Sequence, residues 1–300
     1  MYLAIDLGGT FVKYGVLDEQ GNIRLKNKFP TPQGEIEPLY GEIRRVFDQV
    51  SAEFEIKGLA ISAPGAVTEQ GVIHGISAIP CIHGPNIRED LQSQFNIPVA
   101  IENDANCAAL AEVRAGSARG YEDVLFVVCG TGVGGAVIKK GQLHKGKHLL
   151  GGEFGMLVQY DHKQGRMESF SWLASTGNMA RRASEKLNRE LSGQEVFELA
   201  ASGNQTCQEE VDAFYAHLSV LLTNLQCVYD PELIVVSGGV TERPQFGEEL
   251  KAALDTINSK RDVLAIETEV AVAEHRNDAN LLGAFFNLKD KVGHFGKYLA

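Results

Sequence analysis

The chain has 300 residues, of which 44% are hydrophobic and 22% charged, and its formal net charge at pH 7 is −11. This composition is typical of a folded protein with one large or two ordinary domains. The acidic charge argues against nucleic acid or an anionic membrane surface as a partner, because clustered Lys and Arg hold such partners. The five scattered cysteines lie mostly in apolar runs. They predict buried thiols rather than disulfides, and no segment predicts a signal peptide or a membrane span, so we expect a cytoplasmic protein.

Strand and helix patterns alternate along the first part of the chain. The predicted strands are residues 2–6, 12–17, 22–29, 58–62 and 99–101, with a hairpin turn at 18–21. The predicted helices, from apolar positions at helical spacing, are residues 35–54, 87–95 and 105–114. Residues 116–120 have the composition of a linker.

After this linker the opening pattern repeats at an offset of roughly 120 positions, which predicts two duplicated domains. The repeated strands are residues 124–128 and 136–140, followed by helices at 178–187, 195–201 and 211–229 and a strand at 233–236. Polar residues 160–170 predict a surface loop. We therefore expect an N-terminal domain of residues 1–117, a C-terminal domain of residues 118–278, and a helix over 279–300 that packs back on the first domain.

The first glycine-rich turn, Asp-Leu-Gly-Gly-Thr at residues 6–10, interrupts two strand-like runs. Its glycines permit positive φ and expose backbone amides, while an aspartate at a strand end could hold a divalent cation beside phosphates. A tight hairpin without a ligand is the alternative. A second such turn in a repeated domain favours a phosphate site, because two facing turns would form a cleft. The candidate residues here are Asp6, Gly8, Gly9, Thr10 and Lys13.

The second glycine-rich turn, Gly-Thr-Gly-Val-Gly-Gly at residues 130–135, also satisfies the G-x-G-x-x-G pattern. Glu153 lies near the spacing expected for a ribose-binding acid, so a dinucleotide site is an alternative. That site requires a helix directly after the glycines, whereas residues 136–141 predict a strand and a turn. The context favours a polyphosphate site instead. Its candidate residues are Gly130, Thr131, Gly132, Val133 and Gly134.

An acidic block, Glu-Asn-Asp-Ala-Asn at residues 102–106, offers a general base. A carboxylate that orients a hydroxyl and accepts its proton makes that hydroxyl an adequate nucleophile in phosphoryl transfer. Asp104 is the candidate base, with Asn103 beside it. Alternatively, Asn103 or Asp104 caps the Ala-rich helix that follows, and both roles are compatible. The turns and this block together predict phosphoryl transfer to a hydroxyl.

These motifs resemble the ROK family of sugar kinases and sugar-responsive repressors, within the actin-like ATPase superfamily. The resemblance covers nearly the whole chain and includes Ala63-Pro64-Gly65, Gly152-Glu153-Phe154-Gly155 and Val236-Ser237-Gly238-Gly239. It implies an α/β fold of two ribonuclease-H-like lobes, each a mixed βββαβαβα sheet flanked by helices, with a cleft between the lobes. It also implies a homodimer.

The same resemblance implies a kinase that binds a sugar and ATP with Mg²⁺. Asp104 would deprotonate the 6-hydroxyl of the sugar, and Asp6 would contact Mg²⁺ through water or phosphate. Gly238 and Gly239 would lie by the adenosine. The implied sugar-binding residues are Gly65, Asn103, Asp104, Glu153 and Glu168.

The sequence departs from the family at a structural zinc site. Most of its sugar kinases carry Glu-x-Gly-His and a three-cysteine cluster, whereas Met156 occupies the histidine position here and residues 160–167 contain no cysteine. His144, His148 and His162 do not supply the spacing, so we expect no zinc. Met156 leaves an apolar, adaptable wall beside the sugar. The zinc-less members that this sequence resembles include β-glucoside kinases, so we rank that activity first, ahead of glucokinase, fructokinase and N-acetylmannosamine kinase.

Two functions without catalysis are alternatives. The repressors of the family carry an N-terminal DNA-binding domain, and we expect none here because the phosphate motif begins at Asp6. A sugar-binding sensor without kinase activity would use the same cleft. Retention of Asp6, Asp104 and both glycine-rich turns favours an active enzyme.

Overall fold

The computed structural model describes residues 1–161, 165–260 and 268–298. The chain divides into two compact units. The first comprises Met1–Ala115, Gly146–Leu150 and Asn277–Ala300, and the second comprises Gly116–Lys145 and Gly151–Arg276. The division after Ala115 lies beside the predicted boundary. Residues 146–150 group with the first unit, whereas the sequence placed them in the second domain.

The elements are numbered in chain order. The described strands are β1 (Tyr2–Leu7), β2 (Phe11–Leu17), β3 (Ile23–Pro30), β4 (Leu59–Ala63), β5 (Ala66–Val67), β6 (Ile73–His74), β7 (Val99–Asn103), β8 (Val124–Cys129), β9 (Val133–Lys139), β10 (Gln142–Leu143), β11 (Val158–Asp161), β12 (Arg166–Ser169), β13 (Leu233–Ser237) and β14 (Val270–Val272). The described helices are α1 (Ile36–Ser51), α2 (Ile87–Phe95), α3 (Asp104–Ala115), α4 (Phe170–Leu173), α5 (Thr176–Leu187), α6 (Gly193–Ala201), α7 (Gln205–Tyr229), α8 (Phe246–Asn258) and α9 (Ala279–Tyr298).

The sheet of the first unit has the order β3-β2-β1-β4-β7. β2 pairs antiparallel with both β1 and β3. On the other side of β1, β4 pairs parallel with β1, and β7 pairs parallel with β4. All five residues of β4 are buried, as expected for a parallel strand that is covered on both faces. The parallel strands carry their carboxyl ends to one edge of the sheet.

The sheet of the second unit has the order β10-β9-β8-β13-β14. β8 pairs antiparallel with β9 and parallel with β13, which repeats the arrangement around β1 in the first unit. Two sheets with the same order and strand directions confirm the predicted α/β class and the repeat that the sequence showed. The strand at β9 also confirms that no helix follows the second glycine-rich turn directly.

Two local expectations were wrong. Within the predicted surface loop at 160–170, residues 160–161 and 166–169 belong to the paired strands β11 and β12, and residue 170 begins α4, whereas residues 162–164 lie outside the described part of the chain. Cys227 is exposed and Cys81 partly exposed, whereas Cys107, Cys129 and Cys207 are buried as expected. Positions on the outer side of a helix or loop keep a thiol exposed even within an apolar run.

Among the described helices, none combines the length and hydropathy needed to cross a membrane.

α9 packs against α3 within the first unit at unusually close range. A Cβ built on Gly283 would overlap the backbone carbonyl of Cys107. Ala108, Ala109 and Ala111 are buried on α3, so small side chains let the two helix backbones approach. The C-terminal helix is thereby held next to the polar ends of the strands.

We expect Gly283→Ala to lower the free energy of unfolding by about 1–3 kcal/mol, because an added methyl group must separate two packed backbones. Urea denaturation measures this change. Gly41→Ala is the matched control, since Gly41 also lies inside a helix of the same unit but has open space around its Cβ position. Alanine there should be stabilising by up to about 1 kcal/mol. Equal stability of the two variants would contradict the packing argument.

Candidate active site

Asp6 lies near the end of β1 in the first unit and is 7% exposed. Its Oδ1 accepts hydrogen bonds from Ser62 Oγ at 2.9 Å and from Asn280 Nδ2 at 3.0 Å. No described residue donates to its other oxygen, Oδ2. The carboxylate is therefore fixed in one orientation and keeps one oxygen for another partner.

The turn between β1 and β2 holds Gly8, Gly9 and Thr10. No described residue accepts a hydrogen bond from their backbone N–H groups, and Thr10 is exposed. Neither glycine has positive φ, which corrects the expectation from the sequence. Glycine is required instead because neighbouring atoms lie too close for a side chain. A Cβ on Gly8 would lie 2.6 Å from the Phe11 carbonyl oxygen, and a Cβ on Gly9 would lie 2.6 Å from Ala78 Cβ.

Lys13 lies directly opposite Asp6 in the antiparallel pairing of β1 and β2. Paired residues project to the same face of a sheet, so the ammonium and the carboxylate share one face. Lys13 forms no ion pair with any residue that the structure describes. This side chain is available to an anion bound near the turn.

Asn103 and Asp104 lie where β7 ends and α3 begins. Asn103 Oδ1 accepts a hydrogen bond from Asn106 N at 3.1 Å, so it caps the helix as the alternative interpretation proposed. Asn103 Nδ2 also donates to the Gly65 carbonyl at 3.0 Å, which joins two predicted sugar-binding residues. Glu102 is buried and accepts from Asn106 Nδ2, so it supports the helix start.

The carboxyl group of Asp104 is fixed by the backbone N–H of Ala105, which donates to its Oδ1 at 2.8 Å. Burial raises the pKa of Asp104 above its ordinary value, the hydrogen bond from Ala105 lowers it, and the negative charge of Asp6 raises it again. A raised pKa makes an aspartate a better proton acceptor at neutral pH. The first unit therefore places a basic carboxylate near the acid at the first turn.

In the second unit, α5 packs its first turn against the glycine-rich turn at 130–135. Gly177 N and Thr176 Oγ1 both donate to the Gly130 carbonyl at 3.0 Å, and Ser175 Oγ donates to the Thr131 carbonyl at 3.2 Å. Thr131 and Gly132 donate their own N–H groups to no described residue. A helix start beside free amides is a favourable environment for a phosphate.

The second turn is also held from the side of α4. Val133 N donates to Ser171 Oγ at 3.1 Å, so this predicted amide is not free. A Cβ on Gly132 would lie 2.6 Å from the same hydroxyl oxygen. Close approach again explains the glycine, since none of the glycines at 130–135 has positive φ.

Glu153 and Glu168 also lie in the second unit. Glu153 is exposed, precedes the short helix Phe154–Met156, and forms no ion pair with a described residue. Gly152 and Gly155 on either side pack on the backbone of β9. Glu168 lies on β12 and pairs with Arg166 at 2.5 Å, with the carboxylate side chain only 17% exposed. Glu153 therefore lies on a segment that contacts the second turn and β9, and Glu168 lies on the strand that precedes α4.

Gly238 and Gly239 follow β13. Gly238 has φ of 114° and lies against the Cys129 backbone, at the end of β8. Gly239 lines a cavity of about 600 Å³ within the second unit. The other lining residues are Thr176, Gly193, Gln194, Phe197, Glu198, Val240, Glu242, Arg243 and Pro244.

One wall of this cavity is rigid. The Arg243 guanidinium carbon lies 3.8 Å from the centroid of the Phe197 ring, and Arg243 also bonds Glu249 at 2.6 Å and Tyr215 at 2.9 Å. Thr176 bonds the Gly130 carbonyl of the second turn and also lines the cavity, so the cavity lies next to that turn. Sequence reasoning missed these residues, since they carry no motif and lie far apart in the chain.

Within the described residues, no three His, Cys, Asp or Glu side chains cluster in a way that could hold a metal ion. His144 and His148 are exposed, and His162 lies outside the described residues. Met156 is 67% exposed.

The comparisons with known proteins agree with the motifs. The ROK family model matches residues 2–291. A β-glucoside kinase of Listeria monocytogenes is 32% identical over 290 residues, which cover 95% of this chain and 96% of the relative. A solved ROK family protein from Streptococcus pneumoniae in complex with sucrose is 36% identical, with a TM-score of 0.89 and coverage of 98% and 99%. A ROK hexokinase from Thermus thermophilus is 27% identical, with a TM-score of 0.82 and coverage of 96% and 99%. The predicted resemblance is confirmed, and the chain belongs to the ROK family.

Proposed function

We propose that this protein is a sugar kinase that transfers the γ-phosphoryl group of ATP to the 6-hydroxyl of a hexose unit. The observation that carries this proposal is the placement of Asp104, a half-buried carboxylate with a raised pKa at the start of α3, beside Asn103 and Gly65. The sugar kinases among its relatives support the general activity. Membership of the family further suggests a cytoplasmic homodimer.

The donor side of the reaction is supported by both glycine-rich turns. Each presents backbone N–H groups that no described residue uses, and amides in this arrangement bind phosphate oxygens. Lys13 adds a positive charge at the first turn. The cavity beside Gly239 and Thr176 has room for the nucleoside, and its Phe197 and Arg243 wall suits a planar base.

Magnesium fits this donor side through Asp6. Mg²⁺ in kinases is commonly held by one or two carboxylates together with substrate phosphates and waters. Asp6 Oδ2 is the oxygen available for that contact, because Oδ1 is bonded to Ser62 and Asn280. When bound, the ion would neutralise charge on the phosphates.

The chemical step assigned to Asp104 is proton acceptance. As the sugar oxygen forms a bond to the γ-phosphorus, the bond from phosphorus to the ADP oxygen breaks, and the hydroxyl proton passes to Asp104. Asn103, fixed by Gly65 and Asn106, would orient the same sugar. Glu153 and Glu168 offer further acceptors for sugar hydroxyls.

A β-glucoside is the substrate class we favour. Met156 is apolar and exposed where most of the family's sugar kinases have a histidine, which would tolerate a group attached at the anomeric carbon. The similarity to a β-glucoside kinase supports this choice. Glucose, fructose and N-acetylmannosamine are the alternative acceptors.

A panel of acceptors tests the substrate. We expect ADP release from ATP and Mg²⁺ to be fastest with cellobiose or gentiobiose, compared with glucose, fructose, mannose and N-acetylmannosamine. Preference for a free hexose would contradict the β-glucoside assignment and keep the kinase assignment. No turnover above the control without sugar would contradict the kinase itself.

Replacing the proposed base tests the mechanism. We expect Asp104→Asn to reduce kcat by roughly 10²–10⁴-fold, because the amide cannot accept the proton. Sugar affinity, measured by calorimetry, should change little because the amide keeps its hydrogen-bonding capacity. Asp48→Asn, at an exposed position on α1, serves as the control and should retain turnover. Full activity of Asp104→Asn would refute the assigned role.

The raised pKa of Asp104 predicts the acid side of the pH profile. The carboxylate is the active form, so kcat/KM should rise with pH as Asp104 loses its proton. Since burial and the charge of Asp6 raise this pKa, the midpoint should lie above the ordinary value of 3.8. Circular dichroism over the same pH range separates this effect from unfolding. A midpoint at or below that value, with the fold intact, would contradict the assignment.

A further inference from the structure

A short segment of the first unit, residues 76–83, links the two parts of its candidate site. We call it the strap. It follows the hairpin β5–β6 and is bracketed by Gly75 and Gly84, which have φ of 106° and 109°. Ile79 and Ile82 anchor the strap, since they are 1% and 0% exposed.

The strap contacts both the phosphate turn and the predicted sugar residues. Its Ala78 Cβ lies so near Gly9 that a Cβ on the glycine would be 2.6 Å away. At its other end, the ring of His83 packs on Gly65, where a Cβ would lie 3.2 Å from His83 Cε1. The Gly65 carbonyl in turn accepts from Asn103, next to Asp104. The strap thus borders the place where a phosphate and a sugar hydroxyl would meet.

Ser77 and His83 form a hydrogen-bonded pair across the strap. Ser77 Oγ lies 2.8 Å from His83 Nε2 and accepts from Ile79 N at 3.2 Å. When His83 Nε2 carries the proton, the serine oxygen accepts both bonds and its own hydrogen is directed to the distant Ile79 carbonyl at 3.4 Å. The O–H group of Ser77 then makes only a long, weak hydrogen bond to the Ile79 carbonyl, so it can donate to another acceptor.

The second ring nitrogen of His83, Nδ1, is buried and has no hydrogen-bond partner among the described residues. Buried polar atoms are nearly always paired in native proteins, so a lone one commonly marks a functional position. Packing of the strap does not require this histidine, since the buried side chains of Ile79 and Ile82 already anchor the segment. An apolar ring would pack on Gly65 equally well.

We propose that Ser77 binds a hydroxyl group of the acceptor sugar, and that His83 is the positioning residue that holds the Ser77 hydroxyl toward it. This inference rests on the proposed sugar kinase function. The contact lies between the phosphate turn at Gly9 and the residues around Gly65. It supplies selectivity for a sugar that carries a hydroxyl at the matching ring position.

Three variants separate the two roles. Ser77→Ala removes the hydroxyl, His83→Phe keeps a ring on Gly65 but loses the bond, and His83→Gln keeps a polar group that can reach Ser77. We expect the first two to raise the KM for the sugar by roughly 3- to 10-fold, the value of one neutral hydrogen bond, with the KM for ATP unchanged. His83→Gln should restore most of the lost affinity.

Deoxy sugars identify the contact directly. The wild-type protein is assayed with its best acceptor from the panel and with the deoxy forms of that sugar, each lacking one hydroxyl other than the reacting one. One deoxy form should be a poorer substrate by roughly 3- to 10-fold for the wild-type protein and show no such penalty with Ser77→Ala. The penalties for the other deoxy forms should be the same in both proteins.

His74→Phe is the matched control, because His74 is an exposed histidine on β6 near the strap. It should leave the KM for sugar and the deoxy pattern unchanged. The inference is overturned if Ser77→Ala keeps every deoxy penalty, or if the KM values for sugar and ATP rise together. Ser77→Ala decides the matter even if His83→Phe fails to fold. A wild-type protein that phosphorylates no sugar would instead overturn the proposed function, and the inference with it.

Discussion

The parallel register of β1, β4 and β7 is the constraint on which the first unit's site depends. The pairing sets Asp6 beside Ser62, and Ser62 beside Glu102 on the next strand. Parallel strands end at one edge of a sheet, so each contributes a polar group where backbone pairing stops. Ser62 fixes Asp6, and Glu102 fixes the start of α3 through Asn106. A shift of one residue in any of these strands would turn a functional side chain to the opposite face.

Close backbone approach is the second feature on which the site depends. The glycines of both turns avoid positive φ, yet a side chain at Gly8, Gly9 or Gly132 would collide with a neighbouring segment. The same holds for Gly283, which lets α9 approach α3 and bring Asn280 to Asp6. The backbone N–H groups of Gly8, Gly9, Thr10, Thr131 and Gly132 donate to no described residue, and these close contacts hold the chain around them.

Much of the fold could be predicted from local patterns. The strands and long helices follow apolar periodicity, and α2 begins and ends at the predicted residues because Asn86 caps its start and Asn96 ends it in a left-handed conformation. The hairpin β11–β12 was not predicted, since its strands are only four residues each and the pairing between them is not evident from a local pattern. Asp104 was identified from its motif, but its raised pKa depends on burial and on Asp6, which is remote in sequence.

The sequence by itself determined the α/β class, the internal repeat, the ROK resemblance and the identity of the chemical groups, because these depend on periodicity and on short motifs. Tertiary structure alone decided which groups meet. Asn280 reaches Asp6 across 274 positions, and Arg243 stacks on Phe197 from a separate element. Ser77 and His83 carry no motif, and their pairing against Gly65 follows from how the strap folds over the end of the sheet. Such contacts depend on packing between distant segments, which local sequence patterns do not encode.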